Sequence, residues 1–140
     1  MNKAILIFGM LFSLSALGSE QYDGIPDKFM ELVAKGESEA ALDSFFGKPK
    51  DPKKVTAESI YAKEKSVKIL NQFGKYYFHE KISEEKIGSR YALLTYIIGY
   101  DEKPLFISIS LYKKENSWAV KSYKTNSNYK ELVKDVNEGT

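Results

Sequence analysis

The clearest order in the chain lies between Leu105 and Lys113, where Leu105, Ile107, Ile109 and Leu111 alternate with Phe106, Ser108, Ser110 and Tyr112. A period of two puts the aliphatic set on one side of a strand and the mixed set on the other. Trp118 to Tyr123 alternates in the same way, Trp118 and Val120 against Ala119, Lys121 and Tyr123. A two-residue turn at Glu115–Asn116 joins the two runs as a hairpin and sets Leu111 across from Val120. One side of that hairpin then carries the aliphatic residues and Trp118, and the other carries Ser108, Ser110, Tyr112, Lys121 and Tyr123. Upstream, Arg90 to Tyr100 is apolar at both parities, through Tyr91, Leu93, Leu94, Tyr96, Ile97 and Ile98. That pattern marks a central strand covered on both sides, and Gly99 within it suggests a bulge. Lys75 to Ile82, rich in Tyr76, Tyr77 and Phe78, reads as the first strand. Ser83 to Gly88 then turns the chain, or Glu84 to Lys86 prolongs the strand or bulges it.

Before residue 75 the period is helical. Gly24-Ile25-Pro26-Asp27 turns into a helix in which Phe29, Leu32 and Val33 share a face and Gly36 supplies the stop. Glu37 to Phe46 is a second helix, with Ser38 as its expected cap, Ala41, Leu42, Phe45 and Phe46 as its stripe, and Gly47 at its end. A longer helix starts near Asp51 or Thr56 and runs to about Phe73, with Ile60, Val67, Leu70 and Phe73 near one face. Thr125 to Asn128 is a polar loop, and Tyr129 to Val136 is a last short helix with Leu132, Val133 and Val136 as its apolar side. Helices followed by consecutive antiparallel strands make the expected class α+β, with the N-terminal helices packed on a curved sheet of about four strands.

The first eighteen residues stand apart. Lys3 precedes an apolar run from Ala4 to Leu17, and Ala16-Leu17-Gly18 offers small residues at the positions a signal peptidase reads. The run is short for a membrane span, which needs about 20 apolar residues. The expectation is a removable leader over 1–18, a domain over 19–140, and a soluble product in the periplasm or outside the cell, with no membrane insertion once the leader is gone.

Composition narrows the chemistry. The chain has 140 residues and no cysteine, which excludes disulfides, zinc–thiolate sites, a thiol nucleophile and a lipoprotein anchor. Loss of the leader removes Lys3 and no acid, leaving 20 basic residues against 19 acidic ones. A near-zero balance creates no strong field, and Arg90 is the single arginine. Nucleic acid is therefore not an expected partner. The glycines fit no phosphate-binding pattern, and no cofactor or metal is expected.

"LVAKGESEAALDSFFGK" and "KIGSRYALLTYIIGYDEKPLFISISLYKKENSWAVKSYK" resemble the opening helix pair and the strand block of small exported members of the nuclear transport factor two-like superfamily. The resemblance runs from Phe29 to Thr125. It implies a cystatin-like α+β cone, whose interior holds a ligand, an active site or only packed side chains, and a sheet whose outer face commonly pairs two copies. No catalytic set of that superfamily matches positions here.

The remaining candidates are few. His79 is the single histidine, and Glu80 beside it on a strand points to the opposite face, so the two cannot pair directly. Glu84, Glu85, Asp101 and Glu102 lie in expected turns at no spacing that wraps a cation. The Ser108, Ser110, Tyr112 and Tyr123 face is the most suggestive, since tyrosine offers a flat apolar body with a polar tip. It suits a pocket, a subunit interface or a wet surface. The expected function is an exported binding or interaction module of the cell envelope, its partner a small molecule or an envelope protein. Alternatives are a small-molecule enzyme working inside the cone, and a structural homodimer joined through the sheet face.

Overall fold

A computed structural model describes residues 21–47 and 51–139. The expected leader over 1–18 lies outside them. Three helices come first: α1 Ile25–Ala34, α2 Ser38–Phe46 and α3 Ala57–Asn71. Four strands follow, β1 Tyr76–Ile87, β2 Tyr91–Tyr100, β3 Pro104–Lys113 and β4 Trp118–Asn126, and α4 Tyr129–Glu138 closes the order. The strands form one antiparallel meander in the order β1-β2-β3-β4. The class is α+β, helices packed on a curved sheet.

The register sorts the side chains into two faces. Ala92, Leu94, Tyr96 and Ile98 of β2 pair with Leu111, Ile109, Ile107 and Leu105 of β3. All eight are buried, and they share one core with Phe29, Met30, Leu32 and Val33 of α1 and Ala41, Leu42 and Phe45 of α2. Within it Phe29 stacks on Phe45, ring centres 4.1 Å apart. Aliphatic alternation in β3 thus meets the helical stripes, as the two periods dictate.

Local chemistry sets the helix ends. Pro26 occupies the first turn of α1, where its missing N–H costs nothing. Thr56 caps α3 through a reciprocal box with Ser59. Ser38 does not cap α2: it is the first helical residue, and its buried hydroxyl donates to Asn71 Oδ1 at 2.6 Å, tying α2 to the end of α3. Ile60 also departs from its expected burial and stays 48% exposed, one turn before the point where Lys63 meets Glu39 and Asp43 of α2. The N-terminal half of α3 therefore reaches past its partner helix.

Three bulges rewrite the strand ends. On β1 the register slips between Tyr76 and Phe78 and again between Lys81 and Ser83. The strand absorbs both slips and runs on to Ile87, so residues 83–87 are strand rather than turn. The first slip lies on β1 opposite Gly99, not at Gly99 itself; the missing side chain there leaves room for the Phe78 ring. On β4 the slip falls between the partners of Ser110 and Leu111: Leu111 pairs Val120 as expected, but Ser110 pairs Ser122. Lys121 is the extra residue, and every side chain beyond it changes face relative to simple alternation. Tyr123 consequently pairs with Ile109 and points inward, against Phe45 and Phe46, at 5.5 and 6.0 Å between ring centres. β4 also continues through Thr125 to Asn126, where a loop was expected.

The last helix lies on the other side of the sheet from α1 to α3. Tyr129 packs against Phe106, 5.4 Å between ring centres, and Phe106 belongs to the outward set of β3. Leu132 is 1% exposed yet lies outside the main core, in this second layer. The inner face is covered over β2 and β3 but not over β1, whose inward residues His79, Lys81, Glu84 and Lys86 are exposed; the outer face is partly covered, with Tyr91, Leu93 and Ile97 of β2 half-buried.

Candidate functional site

The centre of the inner face is closed. Between α1, α2, α3 and the sheet, a void lined by Phe29, Leu42, Ser66, Leu70, Ile107 and Tyr123 has a volume of about 10 Å³. That is about the space of one water and holds no organic ligand. Tyr123 seals it, its hydroxyl 2.7 Å from Ser66 Oγ.

The outer face is open where α4 stops. A groove of about 800 Å³ lies between the end of α4, at Val136 and Gly139, and the strands beneath. This is at the large end of the range for small-molecule sites. Its floor is Leu93 of β2 with Ser108 and Ser110 of β3, β1 supplies Glu85 and Ile87, and β4 supplies Lys121 and Lys124. Ser108 is buried and its hydroxyl is 3.0 Å from that of Thr95, its partner across the ladder. The Ser110 hydroxyl makes no hydrogen bond among the described residues and is half-buried, so it can serve a ligand. Lys121 Nζ stands 5.7 Å from the centre of the Tyr91 ring. Lys124 donates to the Asp135 carbonyl and so pins the last turn of α4 to β4. The groove therefore offers an apolar strip, a free hydroxyl and a cationic wall facing one carboxylate.

The expected site residues divide. Ser108 and Ser110 share the groove floor. Tyr112 is on the same face, 46% exposed, beyond the groove. Tyr123 borders the groove, but it is half-buried and turns its ring to the core, displaced by the Lys121 bulge. His79 is inward-facing on β1 opposite Ile98, and Glu80 faces outward opposite Ile97, as neighbours on a strand must. His79 Nδ1 lies 2.6 Å from the Tyr76 hydroxyl. No group of three or more histidine, aspartate or glutamate side chains that could hold a metal occurs among the described residues. No described helix is long and apolar enough to cross a membrane.

Tyr22 was not anticipated. Tyr22 and Asp23 have φ of 56° and 55°, the left-handed region that costs a non-glycine residue about 1–3 kcal/mol. Their side chains explain why the strain is kept. Asp23 Oδ2 accepts the Trp118 backbone N–H at 2.7 Å. The Tyr22 ring meets Trp118 edge-on at 5.0 Å, and its hydroxyl donates to the Glu84 carboxylate, which Lys81 also holds at 3.0 Å. The Tyr22 hydroxyl and then Lys81 draw the Glu84 pKa below the usual glutamate value, while burial first and Glu84 second push the Tyr22 phenol well up. No pattern in the sequence marks this pair, 62 residues apart.

No known family model matches the chain, and no curated protein sequence matches it significantly.

Proposed function

We propose that this chain is an exported binding or interaction module of the cell envelope and that its contact surface is the groove on the outer sheet face. The observation that carries the reading is the contrast between the packed centre of the inner face, with about 10 Å³ of space, and the groove of about 800 Å³ on the outer face. Catalysis inside the cone would need room for a substrate that the packed interior does not offer. The leader-like start supports export to the periplasm or beyond, and the order of helices before meander supports kinship with the nuclear transport factor two-like superfamily. A thermal-shift screen with periplasmic metabolites and cell-wall fragments tests the reading, because a ligand selective for the folded state raises its melting point. Ser110→Trp fills the groove without touching the core. A compound that stabilises the native chain should lose its effect on this variant; equal stabilisation of both would remove the groove from the account.

One observation favours a second reading. Phe78, Ile87 and Tyr112, on the outer face, are 49%, 58% and 46% exposed. Such a spread of apolar surface suits pairing of two copies through their sheets. Light scattering at high micromolar concentration decides it: a dimer supports this reading and a monomer rejects it.

A further inference from the structure

Tyr100 ends β2 on the inner face, where it pairs with Tyr76 of β1. It is 9% exposed, and its hydroxyl is the one buried side-chain polar atom without a hydrogen-bond partner among the described residues. An unpaired buried hydroxyl costs about 1–3 kcal/mol, and such groups in folded proteins call for a water, an ion or a ligand. Tyr100 also lines a cleft of about 330 Å³ at the rim of the sheet, separate from the outer groove. The α1–α2 turn and the end of α3 supply the rest of that cleft.

The chemistry of the cleft is one-sided. Val33, Leu70 and the two tyrosine rings give it an apolar wall, Lys35 and Lys75 flank it, and no acidic residue lines it. The nearby carboxylates are engaged elsewhere: Glu31 holds Lys35 at 2.6 Å, and Asp101 accepts from the Tyr77 hydroxyl at 3.3 Å. Lys75 makes no ion pair among the described residues; its ammonium rests 5.6 Å from the Tyr77 ring centre. Burial, with a smaller push from Tyr76, raises the Tyr100 phenol to about 12, which keeps it a hydrogen-bond donor through the physiological range. Tyr76 is already engaged with His79.

We propose that this cleft binds a small monocarboxylate with a flat or short apolar body. Its ring or chain lies on Val33, Leu70 and Tyr76, one carboxylate oxygen accepts from Tyr100, and Lys75 neutralises the charge. Benzoate fits the volume and is the probe; benzamide, of the same shape and uncharged, is its control. Titration of the purified chain followed by amide resonances should move Gly36 and Gly74, the two glycines of the rim. Tyr100→Phe should melt higher than the native chain without probe, having lost an unpaired hydroxyl, and should bind benzoate at least tenfold more weakly. Lys75→Gln, an exposed change that leaves the core alone, should weaken benzoate several-fold and benzamide hardly at all. The proposal is overturned if Gly36 and Gly74 stay still at tens of millimolar benzoate, or if the perturbed resonances are those of Ser108 and Ser110. It is equally overturned if Tyr100→Phe neither gains stability nor loses affinity, the pattern of a hydroxyl that holds a bound water only.

Discussion

A phenol that donates to a carboxylate favours the ionised acid, and Tyr22 does this for Glu84. The folded pKa of Glu84 is depressed, so the pair contributes stability above the ordinary glutamate range and loses it as pH falls through the folded value. Tyr22→Phe keeps the ring on Trp118 and removes only the hydroxyl. Its expected cost at neutral pH is about 1.5–2 kcal/mol, the low end of the range for a hydrogen bond to a charged group, since Glu84 is exposed. Its urea midpoint should also decline less steeply than the native one as pH is lowered below about 4.5, the unperturbed value. Equal acid sensitivity in the two proteins would show that the bond does not set the charge on Glu84.

At the scale of the element, the bulge in β4 decides which residues are core. Because the extra residue is what turns Tyr123 inward, Tyr123→Ala is the informative change: it removes the packing on Phe45 and Phe46 and the bond to Ser66. The expected destabilisation is about 3–5 kcal/mol, as for removing a buried aromatic ring. Lys121→Ala changes the exposed, bulged residue and should stay within about 0.5 kcal/mol of the native chain; denaturant titration of the two tells the inward residue from the bulged one, and equal losses would contradict this register. This bulge also marks where the sequence stops being readable. β3 and the first two helices were legible because one face of each is apolar and the period is unbroken. Tyr123 was not, because Lys121 and Ser122 are both polar and give no sign of which is extra. The length of β1 was hidden for a related reason: Glu84, Glu85 and Lys86 put charges on both faces, so the edge strand has no alternation to see. The apolar stripe of α4 was visible, but its side of the sheet was not, since Leu93, Ile97 and Phe106 make the outer face apolar too. Ser108 and Ser110 were found as a pair because they sit on β3, whose alternation is unbroken. Tyr100 was passed over, because its want of a partner depends on neighbours that only the fold assembles.

For the whole molecule, the division of labour between the two faces of the sheet is the central claim. The N-terminal helices fill the centre of the inner face, so that its part there is cohesion, and leave room only at its rim. The partial cover of α4 leaves the outer face to make contacts. The chain has no cysteine, so single cysteines report each face without background. Ile109 and Ser110 are neighbours on β3, 0% exposed and half-buried respectively. Thiol labelling of Ser110→Cys should proceed in the native state without unfolding, slowed by its partial burial but not blocked. Ile109→Cys should react only as fast as the protein unfolds, slower by several orders of magnitude for a domain of ordinary stability. Comparable rates at the two positions, or faster reaction at Ile109→Cys, would contradict the account.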